Sequence, residues 1–237
     1  CSMRSVFRFK QFEVDQGNCA MKINTDGVLL GGSTYFPEAR RILDVGTGTG
    51  VIALMLAQSH SQAYVDAVEI DEDAYQQAKI NFENSDFAER LQVFHGSFAD
   101  MQPQEHYDLI VSNPPFYTNS LHNPDARKRM AKHTDMLFFE KLLSFVSRYL
   151  TDSGQFKLII PTTLADEEIA PILSDYKLHV QNEMAITSFL GGVPIRKVWG
   201  VGKEAVPLKK HAFHIYVERG IYSDDYKALL KPYFLAF

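Results

Sequence analysis

Arg41-Ile42-Leu43-Asp44-Val45-Gly46-Thr47-Gly48-Thr49-Gly50 is the stretch on which the fold turns. An aliphatic run ends in an acid and three alternating glycines, and an apolar helical pattern follows over 50–59. That is the profile of a buried strand feeding a tight turn and a helix, the junction at which α/β sheets bind ligands beyond the carboxyl ends of their strands. Outward from it, apolar runs at 42–45, 64–70, 91–95, 109–112 and 156–161 alternate with amphipathic stretches at 72–85, 135–150 and 164–176. Such alternation predicts a parallel sheet with crossover helices.

Beyond Tyr176 the pattern changes. Two longer segments, 178–189 and 211–219, are joined by a Gly- and Lys-containing stretch with no obvious helix, which predicts an antiparallel pair at one sheet edge. At the other end, 6–21 alternates loosely and meets Asp26-Gly27, the mark of a small hairpin followed by a loop. Residues 223–237 read as a short helix with a hydrophobic tail. The expectation is an α/β, Rossmann-like fold: a mostly parallel seven-stranded sheet with helices on both faces, an antiparallel edge hairpin and a small N-terminal cap. One domain, 1–237, would comprise the cap (1–38) and the core (39–237).

The 237 residues are 46% hydrophobic and 22% charged, near the averages for globular chains, which excludes a disordered class. No apolar run approaches the roughly 18 residues of a membrane span, and 1–10 mixes Arg4, Arg8 and Lys10 with aromatics rather than forming an export signal. A cytoplasmic, monomeric protein is expected. Only Cys1 and Cys19 are present, with Cys1-Ser2 ahead of Met3 compatible with an expression scar, so neither disulfides nor a cysteine metal site are expected. The formal charge of -5 requires any nucleic-acid contact to be a local basic patch.

The glycine loop has Gly-x-Gly-x-Gly spacing, and Val51 stands where a dinucleotide fingerprint wants its third Gly or Ala. Asp44 would repel a pyrophosphate but suits holding the loop, or an ammonium through water. The ligand expected is therefore zwitterionic, with Gly46, Thr47, Gly48 and Gly50 lining it. Glu69, ending the next strand ahead of Ile70, can accept hydrogen bonds from both ribose hydroxyls of an adenosine. Ser97, Phe98 and Asp100, after the third strand, could frame an adenine ring and its amine. One signal per successive strand resembles the class I methyltransferases, over about 41–161, and implies S-adenosylmethionine as cofactor and no metal.

The fourth strand runs into Asn113-Pro114-Pro115-Phe116-Tyr117. Two prolines fix φ and withhold two donors, leaving a rigid turn rich in acceptors. An aromatic amine donates its lone pair to the ring and is a poor nucleophile until acceptors hold its N–H bonds. The Asn113 side-chain oxygen and the Pro114 carbonyl can do this, and Phe116 can stack on an extruded base. The tetrapeptide resembles the motif of amino-group methyltransferases acting on adenine, on guanine in ribosomal RNA and on glutamine in release factors.

Three further stretches narrow the resemblance: Asn18-Cys19-Ala20-Met21-Lys22-Ile23-Asn24-Thr25-Asp26-Gly27-Val28-Leu29-Leu30-Gly31, the Arg- and Lys-rich loop 119–133, and Gly191-Gly192 with its basic follow-on. Nearly the whole chain is similar to the bacterial tRNA1(Val) (adenine-37-N6)-methyltransferase family. The resemblance implies a tRNA substrate, methylated on the adenosine just 3′ of the anticodon. It also implies that 22–27, Lys22 and Thr25 among them, cover the cofactor. RNA contacts are expected from Tyr117, from Arg127, Lys128, Arg129 and Lys132, and from Arg196, Lys197, Lys203, Lys209 and Lys210, with Glu204 opposing this last group. Trp199 is expected to pack at the core edge.

Competing readings are a ribosomal guanine-N2 methyltransferase, whose relatives often carry a second, degenerate domain that does not fit in this length, and a release-factor methyltransferase, which usually has Tyr where Phe116 stands. A nucleotide-dependent dehydrogenase is disfavoured by Asp44 and Val51. A non-catalytic RNA-binding module would have no use for the glycine loop.

Overall fold

The computed structural model describes residues 5–17, 22–114 and 124–237, and the side chains of all of these except 124–135. Among the described residues a nine-stranded sheet organises the molecule. Its first half follows the expected alternation: β3 (Arg41–Val45), α2 (Val51–Ser59), β4 (Tyr64–Glu69), α3 (Glu72–Glu83), β5 (Leu91–His95), β6 (Tyr107–Ser112), α4 (Pro124–Tyr149) and β7 (Leu150–Pro161). These five strands pair in parallel, in the order β7-β6-β3-β4-β5. Four of the five β3 residues are buried, as a central parallel strand covered on both faces requires.

Side-chain alternation divides the core in two. Ile42, Leu109, Val111 and Ile159 face α2, α1 (Thr25–Ser33) and α5 (Asp224–Leu230). Leu43, Ile110, Leu158 and Ile160 face Phe139, Leu142 and Val146 of α4. Helix ends are capped from the sequence: Asn24 and Asp71 accept from the backbone N–H of Gly27 and Ala74, and Ser223 caps α5. Among the described residues no helix is long and apolar enough to cross a membrane.

The second half departs from expectation. The full order is β11-β10-β8-β9-β7-β6-β3-β4-β5, two strands more than the seven predicted. The larger addition is β9 (Arg196–Gly202), inserted antiparallel between β7 and β8 (His179–Phe189); the other is the two-residue β11 (Ile221–Tyr222). Gly200 and Gly202 hide β9 from a propensity reading, since glycine weakens strands. At Gly200 the space a Cβ would take is used by side-chain ends: it would lie 2.9–3.2 Å from Gln155, Lys157 and Asn182 atoms, which would have to shift to admit it. With β9 taking the antiparallel position, β8 and β10 (Lys209–Glu218) run parallel, not as the antiparallel pair predicted.

Three smaller corrections follow. Asp26-Gly27 is not a loop but the first turn of α1. The predicted helix over 164–176 is irregular: a turn at Thr162–Leu164, π-helical Ala165–Ile169 and 3-10 Ala170–Tyr176. Pro171 lacks the N–H that a regular helix needs, and Lys177, at φ 58, ends the segment. Helix α4 starts at Pro124, eleven residues before the predicted 135, so its first turns occupy part of the basic stretch. At the N-terminus β1 (Val6–Arg8) and β2 (Glu13–Asp15) form the expected hairpin.

Candidate active site

At the carboxyl ends of β3, β4 and β6 lies a pocket of about 250 Å³, whose lining includes Gly46, Gly48, Glu69, Ile70 and Asn113, roofed by Lys22, Asn24 and Gly27. The loop is shaped by backbone geometry: Gly46, Gly48 and Gly50 have φ of 73°, 59° and 94°, which side chains resist. Their roles differ. A Cβ on Gly48 would meet nothing within 4 Å, so this glycine opens onto ligand space; on Gly50 it would lie 2.5 Å from the Phe82 ring, so Gly50 serves helix packing.

Two acids hold the loop. Glu69, buried at the end of β4, accepts from Gly48 N–H on Oε1 (2.8 Å) and from Asp71 N–H on Oε2 (2.9 Å). Each oxygen keeps lone-pair capacity for a ribose hydroxyl. Asp44 is fully buried; its Oδ2 accepts from the Thr47 hydroxyl at 2.7 Å, while Oδ1 has no partner among the described residues. Burial pushes the Asp44 carboxyl up to about 7, and the neighbouring Glu69 charge adds to the rise, against the Thr47 and Ala53 hydrogen bonds that lower it. The Lys22 ammonium donates to the Gln16 carbonyl, and among the described residues no ion pair reaches Asp44 or Glu69. The site therefore favours a ligand bringing its own positive charge.

Asn113 leaves β6 into the same pocket. Gly27, on the first turn of α1, lies close to it: a Cβ there would sit 3.5 Å from Asn113 Nδ2, an ordinary van der Waals contact. Pro114 is buried beside it. Pro115, Phe116 and Tyr117 lie outside the described residues, as do the side chains of Arg127, Lys128, Arg129 and Lys132.

Several other predicted residues stand elsewhere. Phe98 is turned into the core, edge-on to Phe138 and Phe145 at 5.5 and 5.7 Å, and Ser97 caps its own turn by accepting from Ala99 N–H. Neither lines the pocket, and Thr25, the first residue of α1, does not either. The basic residues after Gly191 are split by the sheet. Arg196 pairs with Pro161 at the edge of the sheet that carries the pocket, while Lys203 follows β9 at the opposite end, about 20 Å away for its seven-residue separation along extended chain. Arg196 is ion-paired to Asp26 at 3.0 Å, and Lys197 to Asp166 and Glu183 at 2.7 and 2.9 Å. Lys203 donates to the Leu150 carbonyl; Lys209 is exposed, and Lys210 approaches Glu183 at 4.0 Å. Among the described residues Asp26, Asp166 and Glu183, not Glu204, are the acids that oppose the group most closely, and Glu183 serves two of its lysines. Burial would raise the Glu183 carboxyl, but hydrogen bonds from Trp199 and Lys197 hold it below the usual range. Trp199 itself is buried.

One residue the sequence reading missed is Asn81. Buried on α3, it accepts from Asp15 N–H and donates to the Asp15 and Thr49 carbonyls, stapling the N-terminal hairpin to the glycine loop. A buried-phase Asn among Ala74, Ala78 and Phe82 was the available signal.

The methyltransferase small domain family model matches residues 30–182. A Pedobacter heparinus protein named tRNA1(Val) (adenine(37)-N6)-methyltransferase is 48% identical over 99% of this chain and 100% of its own length. The chain belongs to that family. A Bacteroides thetaiotaomicron member is 42% identical over 97% of both chains. In fold, the family chain resembles a predicted O-methyltransferase from Agrobacterium tumefaciens, with a TM-score of 0.69 and 21% identity over 88% of this chain and 96% of that one. It also resembles Pyrococcus horikoshii TYW2 in complex with MeSAdo, at TM-score 0.59 and 14% identity over 86% and 73%. The family's expected cofactor, S-adenosylmethionine, fits the residues present: an open glycine cradle, a buried diacid pair with no cation paired to it among the described residues, acceptor capacity on Glu69 that ribose hydroxyls could use and an exposed aliphatic shelf at Ile70.

Proposed function

We propose that this protein, as a cytoplasmic monomer, transfers the methyl group of S-adenosylmethionine to N6 of adenosine 37 in tRNA1(Val), the base just 3′ of the anticodon. The observation that carries the chemistry is Asn113 opening into the pocket that Gly48 and Glu69 line. What selects adenosine over guanine or glutamine is the near full-length likeness to relatives named for adenosine 37. That one chain supplies glycine loop, ribose acceptor and Asn113 supports a monomeric enzyme.

When bound, S-adenosylmethionine supplies an electrophilic methyl on a sulfonium. The chain positions everything else. Glu69 takes the ribose hydroxyls, and the Asp44–Glu69 pair offsets the cofactor's positive charge. The Asn113 carboxamide oxygen and the Pro114 carbonyl accept the two N6 hydrogens, so the nitrogen lone pair is freed from the ring toward the pocket. The amine proton becomes acidic only after transfer, so no general base is required beforehand.

Unmodified tRNA1(Val) incubated with isotope-labelled cofactor should yield labelled N6-methyladenosine by nucleoside mass analysis; label in guanosine, or in no nucleoside, overturns the assignment. Asn113→Ala should keep cofactor affinity while turnover falls about 10²- to 10³-fold, the scale of one lost transition-state hydrogen bond. Wild-type turnover would remove Asn113 from the chemistry.

A further inference from the structure

The tip of the β8–β9 hairpin, residues 189–195, reads Phe-Leu-Gly-Gly-Val-Pro-Ile and carries no charge. Leu190 and Val193 are 82% and 83% exposed, and Phe189 and Ile195 are each 44% exposed. Single exposed aliphatics are ordinary, but four within seven residues on one projecting turn mark a contact surface.

The tip is firmly based. Gly192 N–H closes the turn on the Phe189 carbonyl at 3.0 Å, Gly191 takes φ 77, and Ile195 N–H returns to the Ile186 carbonyl at 2.8 Å. Thr162, beyond the end of β7, donates its hydroxyl to the Pro194 carbonyl and its N–H to Ile195. The base is also tied to the active site. Arg196 holds Asp26 on the first turn of α1, and the next residue, Gly27, packs against Asn113.

Position gives the tip its task. Strands β6, β7 and β9 are successive neighbours, so the hairpin rises about 10 Å to the side of the strand that delivers Asn113, at the same edge of the sheet. The cations nearest its base, Arg196 and Lys197, are already paired with Asp26, Asp166 and Glu183, so this part of the rim offers apolar surface rather than phosphate contacts. An amine in a nucleic-acid loop reaches a recessed pocket only when its base leaves the stack, and an apolar side chain can occupy the gap it leaves.

Resting on the reading of adenosine 37 as substrate, we infer that Leu190 and Val193 form a wedge that enters the anticodon loop and holds the bases flanking the target apart. The tip reads no base edge, having no side-chain donor or acceptor. It works by filling a vacated stack, and the occupant of this surface is the apolar face of unpaired nucleobases.

The test is the double substitution Leu190→Ser with Val193→Ser in the full chain, assayed on an unmodified anticodon stem-loop. Both side chains are almost wholly in solvent, so the fold should be unaffected, which cofactor affinity and melting temperature check. We expect kcat/KM to fall about 10- to 100-fold, the scale of losing help with one unstacking step. A stem-loop with abasic nucleotides flanking the target, already unstacked, should restore the variant toward wild type. Undiminished kcat/KM on the intact loop, or the same deficit on the abasic one, overturns the wedge. Loss of self-association without loss of activity would make the tip a protein contact instead. If the wild-type chain methylates the stem-loop and the variant equals it, only the wedge falls; if the wild-type chain leaves tRNA1(Val) unmethylated, the substrate reading falls and the wedge with it.

Discussion

The β3–β4 corner and the β8–β9 corner meet the same sheet edge with opposite chemistry. At β3–β4, polar groups are buried and bonded into the loop: Glu69 accepts from the backbone of Gly48 and Asp71, Asp44 from the Thr47 hydroxyl, and Asn81 donates to the Thr49 carbonyl. At β8–β9 the charges are spent on one another beneath the surface, and aliphatic side chains stand in solvent. A small, charged cofactor calls for a rigid loop that keeps acceptor capacity open for it, as the unpartnered Asp44 Oδ1 does. A large, flexible RNA calls for surface that gains when a base stack is opened.

The largest break in this contrast should come from Glu69→Gln. It replaces one acceptor oxygen by an amide that faces a backbone N–H, loosening the loop and removing a charged ribose acceptor. Cofactor affinity should weaken about 10- to 100-fold, the scale of one charge-assisted hydrogen bond, with tRNA affinity unchanged. Calorimetric titration with S-adenosylhomocysteine checks it, and an unaltered affinity would remove Glu69 from the binding site.

A mid-sized effect is expected from pH. Asp44 is raised from 3.8 to about 7 in the fold, so its protonated form favours folding, and that contribution is complete below about 4 and lost as pH rises through about 7. A cationic ligand favours the carboxylate, so binding expels a proton. Cofactor affinity should therefore climb from pH 5 to about 7 and then level off, with Asp44→Asn flattening the profile. A flat wild-type profile would break the link between this acid and the ligand's charge.

The smallest effect concerns the far end of the second half. Reversing Lys209 and Lys210 to Glu should weaken tRNA binding by a factor of a few and lower the salt slope by up to about 2. Equal affinity at several salt concentrations would place the RNA footprint wholly at the catalytic edge.

The two corners also differ in how far the sequence could be read. That Gly48, Glu69 and Asn113 meet in one pocket was legible because each stands at or just past the end of its own strand, and parallel strands bring their carboxyl ends to one edge whatever else the chain does. Phe98 was misplaced because a lone aromatic after a strand can turn either to ligand or to core, and the rings of Phe138 and Phe145 on a distant helix decide it. Asn81 and α1 were missed because their partners lie 32 to 86 residues away, at Thr49, Asp15 and Asn113.

By itself, the order of residues determined a parallel α/β sheet, a glycine loop for an adenosine-bearing zwitterion and an asparagine–proline turn suited to an amine, since strand period and turn chemistry are local properties. Only tertiary structure decided that β9 slips antiparallel between β7 and β8, that Arg196 and Lys203 part company, and that an uncharged hairpin tip stands at the sheet edge where β6 delivers Asn113. Strand order and ion pairing are settled by which surfaces meet, and neighbours in space are not written as neighbours in sequence.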